Sequence, residues 1–169
     1  TLVLRCCAAM TLVALAVLAV TGILLGMHYV PMHETAAVSV RAIEADVVGG
    51  SVVRALHHHA TTVLLVASLA WCGMLAWTWR DDRRQWWAVA GMVVLAFVGA
   101  WTGRLLPDDH YAQTSRSVMQ FGSHEGHGGK IVGTLLGLHS TGTSAMATTY
   151  AMHALVGLGV TRQPAPEHL

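Results

Sequence analysis

The chain has 169 residues, of which 54% are hydrophobic and only 11% are charged, whereas an ordinary soluble domain carries roughly 25% charged residues. Ten Lys and Arg against nine Asp and Glu leave a net charge of +1. This balance excludes a basic nucleic-acid-binding surface and an acidic disordered tail. Eleven histidines outnumber the Lys and Arg residues, so the composition predicts a membrane protein whose histidines require an explanation.

Four apolar segments are long enough to cross the hydrocarbon core of a membrane, which takes about 20 residues of helix. They run over residues 6–30, 53–79, 85–106 and 131–160. We therefore expect residues 1–169 to form a single all-α membrane domain, a bundle of four transmembrane helices. The first segment shows no signal-peptide cleavage site and is followed by further apolar spans, so we expect it to be retained.

The connections between the predicted spans differ in length and charge. The link 80–84 consists of three Arg and two Asp, whereas the other two connections are long. Basic residues are concentrated in this short link and near both termini, so the positive-inside rule predicts that both termini are cytoplasmic. The pattern of residues 36–48 in the first long connection is amphipathic and predicts a short surface helix.

Histidines recur at helical spacing in the apolar spans. His139 and His153 of the fourth span are fourteen residues apart, so they would project from one helix face about 21 Å apart along the axis. Arg54 opens the second span, and His57 follows three residues later. A haem iron held between histidines of facing helices fits this pattern. Zinc, which needs closely spaced ligands, and histidines that only pack and hydrogen-bond are the alternatives.

Short motifs also follow one order along the chain. They are Thr21-Gly22, Met27-His28-Tyr29, Pro31, Ser39-Val40, Ile43, Arg54, His57, Trp86, Thr102-Gly103-Arg104-Leu105-Leu106-Pro107, His139 and His153. In this order and spacing, and through nearly the whole chain, they resemble the N-terminal four-helix module of cytochrome b. That module is the membrane core of quinol to cytochrome c oxidoreductases and of their plastid relatives.

The resemblance implies a ligand set. In the family, four histidines of the second and fourth helices hold two b haems, one near each membrane face. By position, His57 and His139 would be the axial ligands of the haem on the non-cytoplasmic side. Arg54 would lie beside a haem propionate, and Gly22 and Gly103 would leave room for the porphyrin face. The implied fold is a four-helix bundle that holds haem between helices two and four.

Whether the chain binds a second haem is not decided by the sequence. The family pattern requires a histidine fourteen residues after His57, but position 71 is Trp, which cannot ligate iron. His153 is then a ligand of a second haem iron without its partner: the haem is absent, is five-coordinate, or takes a ligand from elsewhere. A shift of register to His58 would place Cys72 at the partner position, but it breaks the spacing to the arginine.

The cysteines add one further hypothesis. Plastid-type members attach a c-type haem to a single cysteine sixteen residues before the glycine of the first helix, and Cys6 stands at that distance from Gly22. The alternative is that Cys6 and Cys7 are small apolar residues at a helix end. No disulfide framework is predicted from the three cysteines.

The loop after the third span departs from the family. Where the family has Leu-Pro-Trp, this chain ends the motif at Asp108. The loop histidines His110, His124 and His127 could carry protons or bind a metal together with Asp108 and Asp109. The alternative is that these side chains are simply solvated.

The sequence therefore predicts a haem b electron-transfer subunit of a larger respiratory or photosynthetic complex in an inner or other energy-transducing membrane. It would relay electrons between quinone or quinol and a partner at the non-cytoplasmic face. Expected partners are further membrane and redox subunits, among them a cytochrome b C-terminal-type subunit and a cytochrome c or iron–sulfur protein. The chain is not expected to be catalytic alone. The alternatives are a structural membrane anchor that has lost one or both haems and, less favoured, an ion or metal transporter.

Overall fold

The computed structural model describes residues 2–78, 83–123, 126–135 and 143–161. The elements within these ranges are all helical. They are α1 (Leu2–Gly26), α2 (Ala36–Asp46), α3 (Gly50–Thr78), α4 (Arg83–Leu105), α5 (His110–Ser123), α6 (Gly126–Leu135) and α7 (Thr143–Thr161). The predicted all-α class is thereby confirmed, and the predicted surface helix in the first long connection is α2.

Three of the described helices are long and apolar enough to cross a membrane. They are Leu2–Gly26, Gly50–Trp77 and Arg84–Leu105, which match the first three predicted spans. The apolar part of α7, Ala145–Val160, is shorter. The predicted fourth span, 131–160, covers the end of α6 and most of α7, but residues 136–142 lie outside the described part of the chain. A continuous fourth span therefore stays a prediction.

The end of α1 shows how the sequence stops a span. The helix ends at Gly26, four residues before the predicted boundary, and the backbone N–H of Tyr29 still donates to the Leu25 carbonyl at 3.0 Å. Pro31 has no N–H to donate and disfavours the helical conformation of the residue before it. The chain therefore leaves the helix and turns toward α2.

The membrane helices pack in chain order. α1 lies against α3, α3 against α4, and α4 against α7, while α1 also contacts α7 and closes the bundle. One cluster of buried apolar side chains joins all four helices, and we call it the apolar core. It consists of Ala8, Ala14, Leu64, Trp71, Leu75, Val89, Met92, Ala96, Val156 and Val160.

The outer surfaces of these helices are apolar as well. Val13 and Val20 on α1, Val66 on α3 and Phe97 on α4 are all more than half exposed. A helix that is apolar on its buried face and on its outer face is typical of a membrane span, because lipid rather than water surrounds it. These exposed side chains support a bilayer position for the bundle.

Candidate functional site

His57 lies on α3 with its ring against α1. Its Nδ1 is 2.8 Å from the hydroxyl oxygen of Thr21, and its Cε1 is close to Gly22, where a Cβ would lie only 3.3 Å away. A larger residue than glycine at position 22 would therefore crowd the imidazole. The local sequence Thr-Gly supplies both the hydrogen-bond partner and the space for the ring.

His153 lies on α7 and repeats this arrangement against α4. Its Nδ1 is 3.1 Å from the hydroxyl oxygen of Thr102 and 3.0 Å from the backbone carbonyl of Gly99. A Cβ at Gly103 would lie 2.9 Å from its Cε1, which is too close for any side chain without a shift of the ring. A second Thr-Gly dipeptide thus holds a second histidine.

The two histidines face each other inside the bundle. Their ring centroids are 6.2 Å apart, with an angle of 65° between the ring planes. We call the two rings, together with Thr21-Gly22 and Thr102-Gly103, the histidine layer. It lies close to the ends of α1 and α4, since Gly26 and Leu105 end these helices. Two imidazoles at this separation are suited to bind a single metal ion between them.

The structure places next to His57 a different histidine from the one that the resemblance pairs with it. The resemblance pairs His57 with His139 and leaves His153 for a second haem, whereas the structure brings the ring of His153 next to that of His57. His139 lies outside the described residues, so its role as a ligand stays a prediction. Gly22 and Gly103 flank the histidine rings, and the room that they would leave for a porphyrin also remains a prediction.

Two further residues of the predicted site, Arg54 and Cys6, have contacts or exposure that the structure describes. The Arg54 guanidinium forms an ion pair with Glu44 of α2, and both side chains are partly exposed. This contact ties α2 to the start of α3, and a contact of Arg54 with a propionate stays a prediction. Cys6 is exposed near the start of α1, while its neighbour Cys7 packs against the apolar core.

A buried carboxylate lies beyond the end of α4. Asp108 is only 5% exposed and has a positive φ of 51°, a conformation that Asp tolerates better than most residues. One carboxylate oxygen is 2.7 Å from Nδ1 of His33, and the other is 3.6 Å from the Arg116 guanidinium. The sequence prediction singled out Asp108 but not His33, because nothing in the spacing along the chain relates the two loops.

The predicted loop metal site has no support among the described residues. Within them, no three His, Cys, Asp or Glu side chains come together as a metal site. His124 and the side chain of His127 lie outside the described part of the structure, so the hypothesis is untested for these two residues.

Tyr29 closes the same end of the bundle. Its hydroxyl donates to the Leu106 carbonyl at 2.7 Å, and its ring lies 5.5 Å from the ring of Tyr150 on α7. Burial raises the pKa of Tyr29 above its usual value, although the nearby Arg116 guanidinium acts in the opposite direction. The phenol therefore remains protonated and keeps its hydrogen bond over the ordinary pH range.

Comparison with known proteins identifies the family. A family model described as cytochrome b/b6/petB matches residues 2–163. The chain belongs to the cytochrome b family. It is 28% identical to cytochrome b6 of Heliobacterium mobile over 161 residues, which cover 89% of this chain and 73% of that protein. It is also 28% identical to cytochrome b6 of Heliomicrobium gestii over 159 residues, with the same coverage.

A longer relative marks how far the similarity extends. Cytochrome b of Rhodobacter capsulatus is 29% identical over 142 residues, which are 81% of this chain but 32% of that cytochrome b. The chain thus spans about a third of that relative. Together with its apolar helices, family membership makes it an integral membrane protein of the electron-transfer class found in quinol-oxidoreductase complexes. For a cytochrome b-family chain, haem b is the implied cofactor.

The histidine layer fits a haem iron. Two imidazoles that bind one metal through facing nitrogens at about 2 Å each have ring centroids roughly 6 Å apart, as His57 and His153 do. In both rings Nδ1 has a hydrogen-bond partner, so Nε2 is the nitrogen left to bind. Among the residues that the structure describes in this cytochrome b-family chain, His57 and His153 are therefore the two that would hold the haem.

At position 71, where the family resemblance places a ligand of a second haem, the structure has a buried tryptophan. Trp71, fourteen residues after His57, is 4% exposed and belongs to the apolar core together with Leu75 and Met92. The described members of that cluster include no residue that could ligate iron through nitrogen. Trp71 is thus a packed core residue.

Proposed function

We propose that this chain is a haem b electron-transfer subunit whose haem iron is held between His57 of α3 and His153 of α7. The observation that carries the proposal is the 6.2 Å separation of the two ring centroids, with both Nδ1 atoms already hydrogen-bonded. Two histidines in an apolar bundle are costly unless they have such a task.

The protein supplies binding, orientation and a dry environment. Haem b, when bound, supplies one-electron chemistry. His57 and His153 would hold the iron, and the adjacent apolar core would keep water away from it. Gly22 and Gly103 allow close approach to the rings, because a Cβ at either position would meet the imidazole.

The position of the histidine layer favours exchange at one face of the membrane. The layer lies near the ends of α1 and α4, and the predicted orientation, with both termini cytoplasmic, would bring these ends to the non-cytoplasmic side. We therefore propose that electrons pass there between quinone or quinol and a redox partner. Cytochrome b-family chains belong to multisubunit redox complexes, and we propose a cytochrome b C-terminal-type subunit and a cytochrome c or iron–sulfur protein as the partners.

The test is a haem count combined with reduced-minus-oxidised spectra of the purified full chain. We expect one haem per chain in the wild type, and its loss in His57→Ala and His153→Ala. His59→Ala is the matched control, since His59 is exposed on the same helix two residues from His57. That variant is expected to keep the wild-type spectrum.

His139→Ala separates the two ligand sets. If that variant loses the haem while His153→Ala keeps it, the pair is His57 and His139, as the family resemblance implies. A second haem that His153→Ala removes would contradict the single-haem proposal, and a haem stain that survives denaturation would indicate covalent attachment at Cys6. If the wild type contains no haem, the electron-transfer proposal is wrong and the structural anchor becomes the better hypothesis.

A further inference from the structure

Each threonine of the histidine layer has its one hydroxyl proton already in use. Thr21 Oγ1 donates to the Val17 carbonyl of its own helix at 2.7 Å, and Thr102 Oγ1 donates to the Val98 carbonyl at 2.9 Å. A hydroxyl group has a single proton but two acceptor lone pairs. Toward the histidines, both threonine oxygens can therefore act only as acceptors.

This restriction determines which imidazole nitrogen carries the proton. With the Thr21 hydroxyl proton on the Val17 carbonyl, His57 Nδ1, 2.8 Å from Thr21 Oγ1, is the donor of that hydrogen bond. His153 Nδ1 must also be a donor, because it faces Thr102 Oγ1 at 3.1 Å and the Gly99 carbonyl at 3.0 Å, and a carbonyl oxygen can only accept. In each neutral ring, Nε2 is then left with its lone pair.

We propose that Thr21 and Thr102 are positioning residues that select the Nδ1–H tautomer of His57 and His153 and so direct both Nε2 lone pairs to the metal. The assignment of that metal as haem iron rests on the proposed function, whereas the tautomer does not. A hydrogen bond from the second ring N–H of a ligand histidine fixes the ring and raises the basicity of the ligand. In each Thr-Gly dipeptide, the threonine hydroxyl accepts the hydrogen bond of the ring, and the glycine leaves space for the ring.

The two histidines of the histidine layer differ in the number of hydrogen-bond acceptors at Nδ1. His57 Nδ1 has Thr21 as its partner, whereas His153 Nδ1 has both Thr102 and the Gly99 carbonyl. Removal of the Thr21 hydroxyl leaves no described acceptor at His57, while removal of the Thr102 hydroxyl leaves the carbonyl in place. The effect of Thr21→Val should therefore exceed that of Thr102→Val.

The first experiment reads the tautomer without haem. The full chain is labelled with ¹⁵N-histidine, purified in detergent without added haem, and the His57 signals are identified by their loss in His57→Ala. We expect the Nδ1–H form in the wild type and in Thr21→Ser. In Thr21→Val the ratio of Nδ1–H to Nε2–H should fall about fivefold, which corresponds to the loss of one hydrogen bond of about 1 kcal/mol.

The second experiment measures haem affinity and reduction potential in the same variants. Loss of the acceptor should weaken haem binding about 10- to 100-fold and raise the reduction potential, because a less basic imidazole stabilises the oxidised iron less. Thr21→Ser should restore both values. Thr11→Val is the matched control, since Thr11 makes the same bond to its own helix, to the Cys7 carbonyl at 2.8 Å, and is fully buried.

The outcomes distinguish this inference from the proposed function. An unchanged tautomer ratio in Thr21→Val, or an equal change in Thr11→Val, overturns the role of the threonines even if haem binds. Absence of haem from the wild type overturns the proposed function, while the ¹⁵N signals still decide the tautomer. If Thr102→Val changes the tautomer ratio or the haem affinity more than Thr21→Val does, the Gly99 carbonyl does not replace the Thr102 hydroxyl as acceptor.

Discussion

The histidine layer and the apolar core are formed by the same four helices but by different types of side chain. In the histidine layer, hydroxyls and glycines surround two polar rings 6.2 Å apart. In the apolar core, Trp71 and nine aliphatic or sulfur-containing neighbours are packed with little exposure. The difference shows that one helix bundle can surround polar rings with hydroxyls and glycines at one level and fill the next level with apolar side chains.

The largest expected effect comes from Trp71→Ala. Removal of a buried tryptophan leaves a cavity and typically costs about 3–5 kcal/mol of unfolding free energy. Trp77, on the same helix, is 87% exposed, so Trp77→Ala should change stability little. Thermal unfolding in detergent compares the two variants. If both lose the same stability, Trp71 does not fill the core as described.

A smaller effect is expected from the glycines of the histidine layer. In Gly103→Ala the new methyl group would lie 2.9 Å from His153 Cε1, so the ring must move, and overpacking of this kind costs about 1–3 kcal/mol. Gly22→Ala should cost less, because its methyl group would lie 3.3 Å from His57. Haem content and thermal unfolding measure both.

Gly73→Ala is the control for this pair, since nothing lies within 4 Å of a Cβ at that position. Alanine is the better helix former by about 1 kcal/mol, so this variant should be at least as stable as the wild type. A loss of stability in Gly73→Ala equal to that in Gly103→Ala would show that the histidine contact is not the cause.

The smallest effect is expected from Tyr29→Phe, which removes the hydrogen bond to the Leu106 carbonyl and should cost about 1 kcal/mol. The pKa of Tyr29 is raised in the folded chain, so its stabilising contribution is present below the unfolded pKa of about 10 and is lost as the pH rises through the folded value. Unfolding measured from pH 8 upward should therefore show a weaker loss of stability in Tyr29→Phe. Identical slopes for the two chains would contradict the assignment.

Much of the fold follows from local sequence. Uninterrupted apolar runs predict α1, α3 and α4, and over the described residues the prediction differs from these helices by a few residues at their ends, as where α1 stops ahead of Pro31. Trp71 was identified as the residue at the position of an expected ligand, and its place in the apolar core agrees with its apolar character. These features depend on neighbours along one helix, which the sequence displays directly.

The site was harder to predict because it depends on how far one helix slides along another. Helical periodicity relates His139 to His153 within one segment. It does not say how α7 is shifted along α3, so the proximity of His153 to His57 could not be obtained from spacing. The Arg54 contact with Glu44 likewise depends on the packing of α2 on α3. One signal was available in advance: the dipeptide Thr-Gly occurs at the ends of two spans, at positions 21–22 and 102–103.

The depth of the two imidazoles determines how the proposed subunit would respond to voltage. A full elementary charge that crosses the bilayer exchanges about 2.3 kcal/mol per 100 mV with the membrane potential. Gly22 is four residues from the end of α1, roughly 6 Å at the helical rise, so an electron that enters and leaves at this level crosses only a minor part of the electric field. With Trp71 at the next level, we expect electron transfer through this chain to be nearly independent of the membrane potential, unlike a relay that runs from one face to the other.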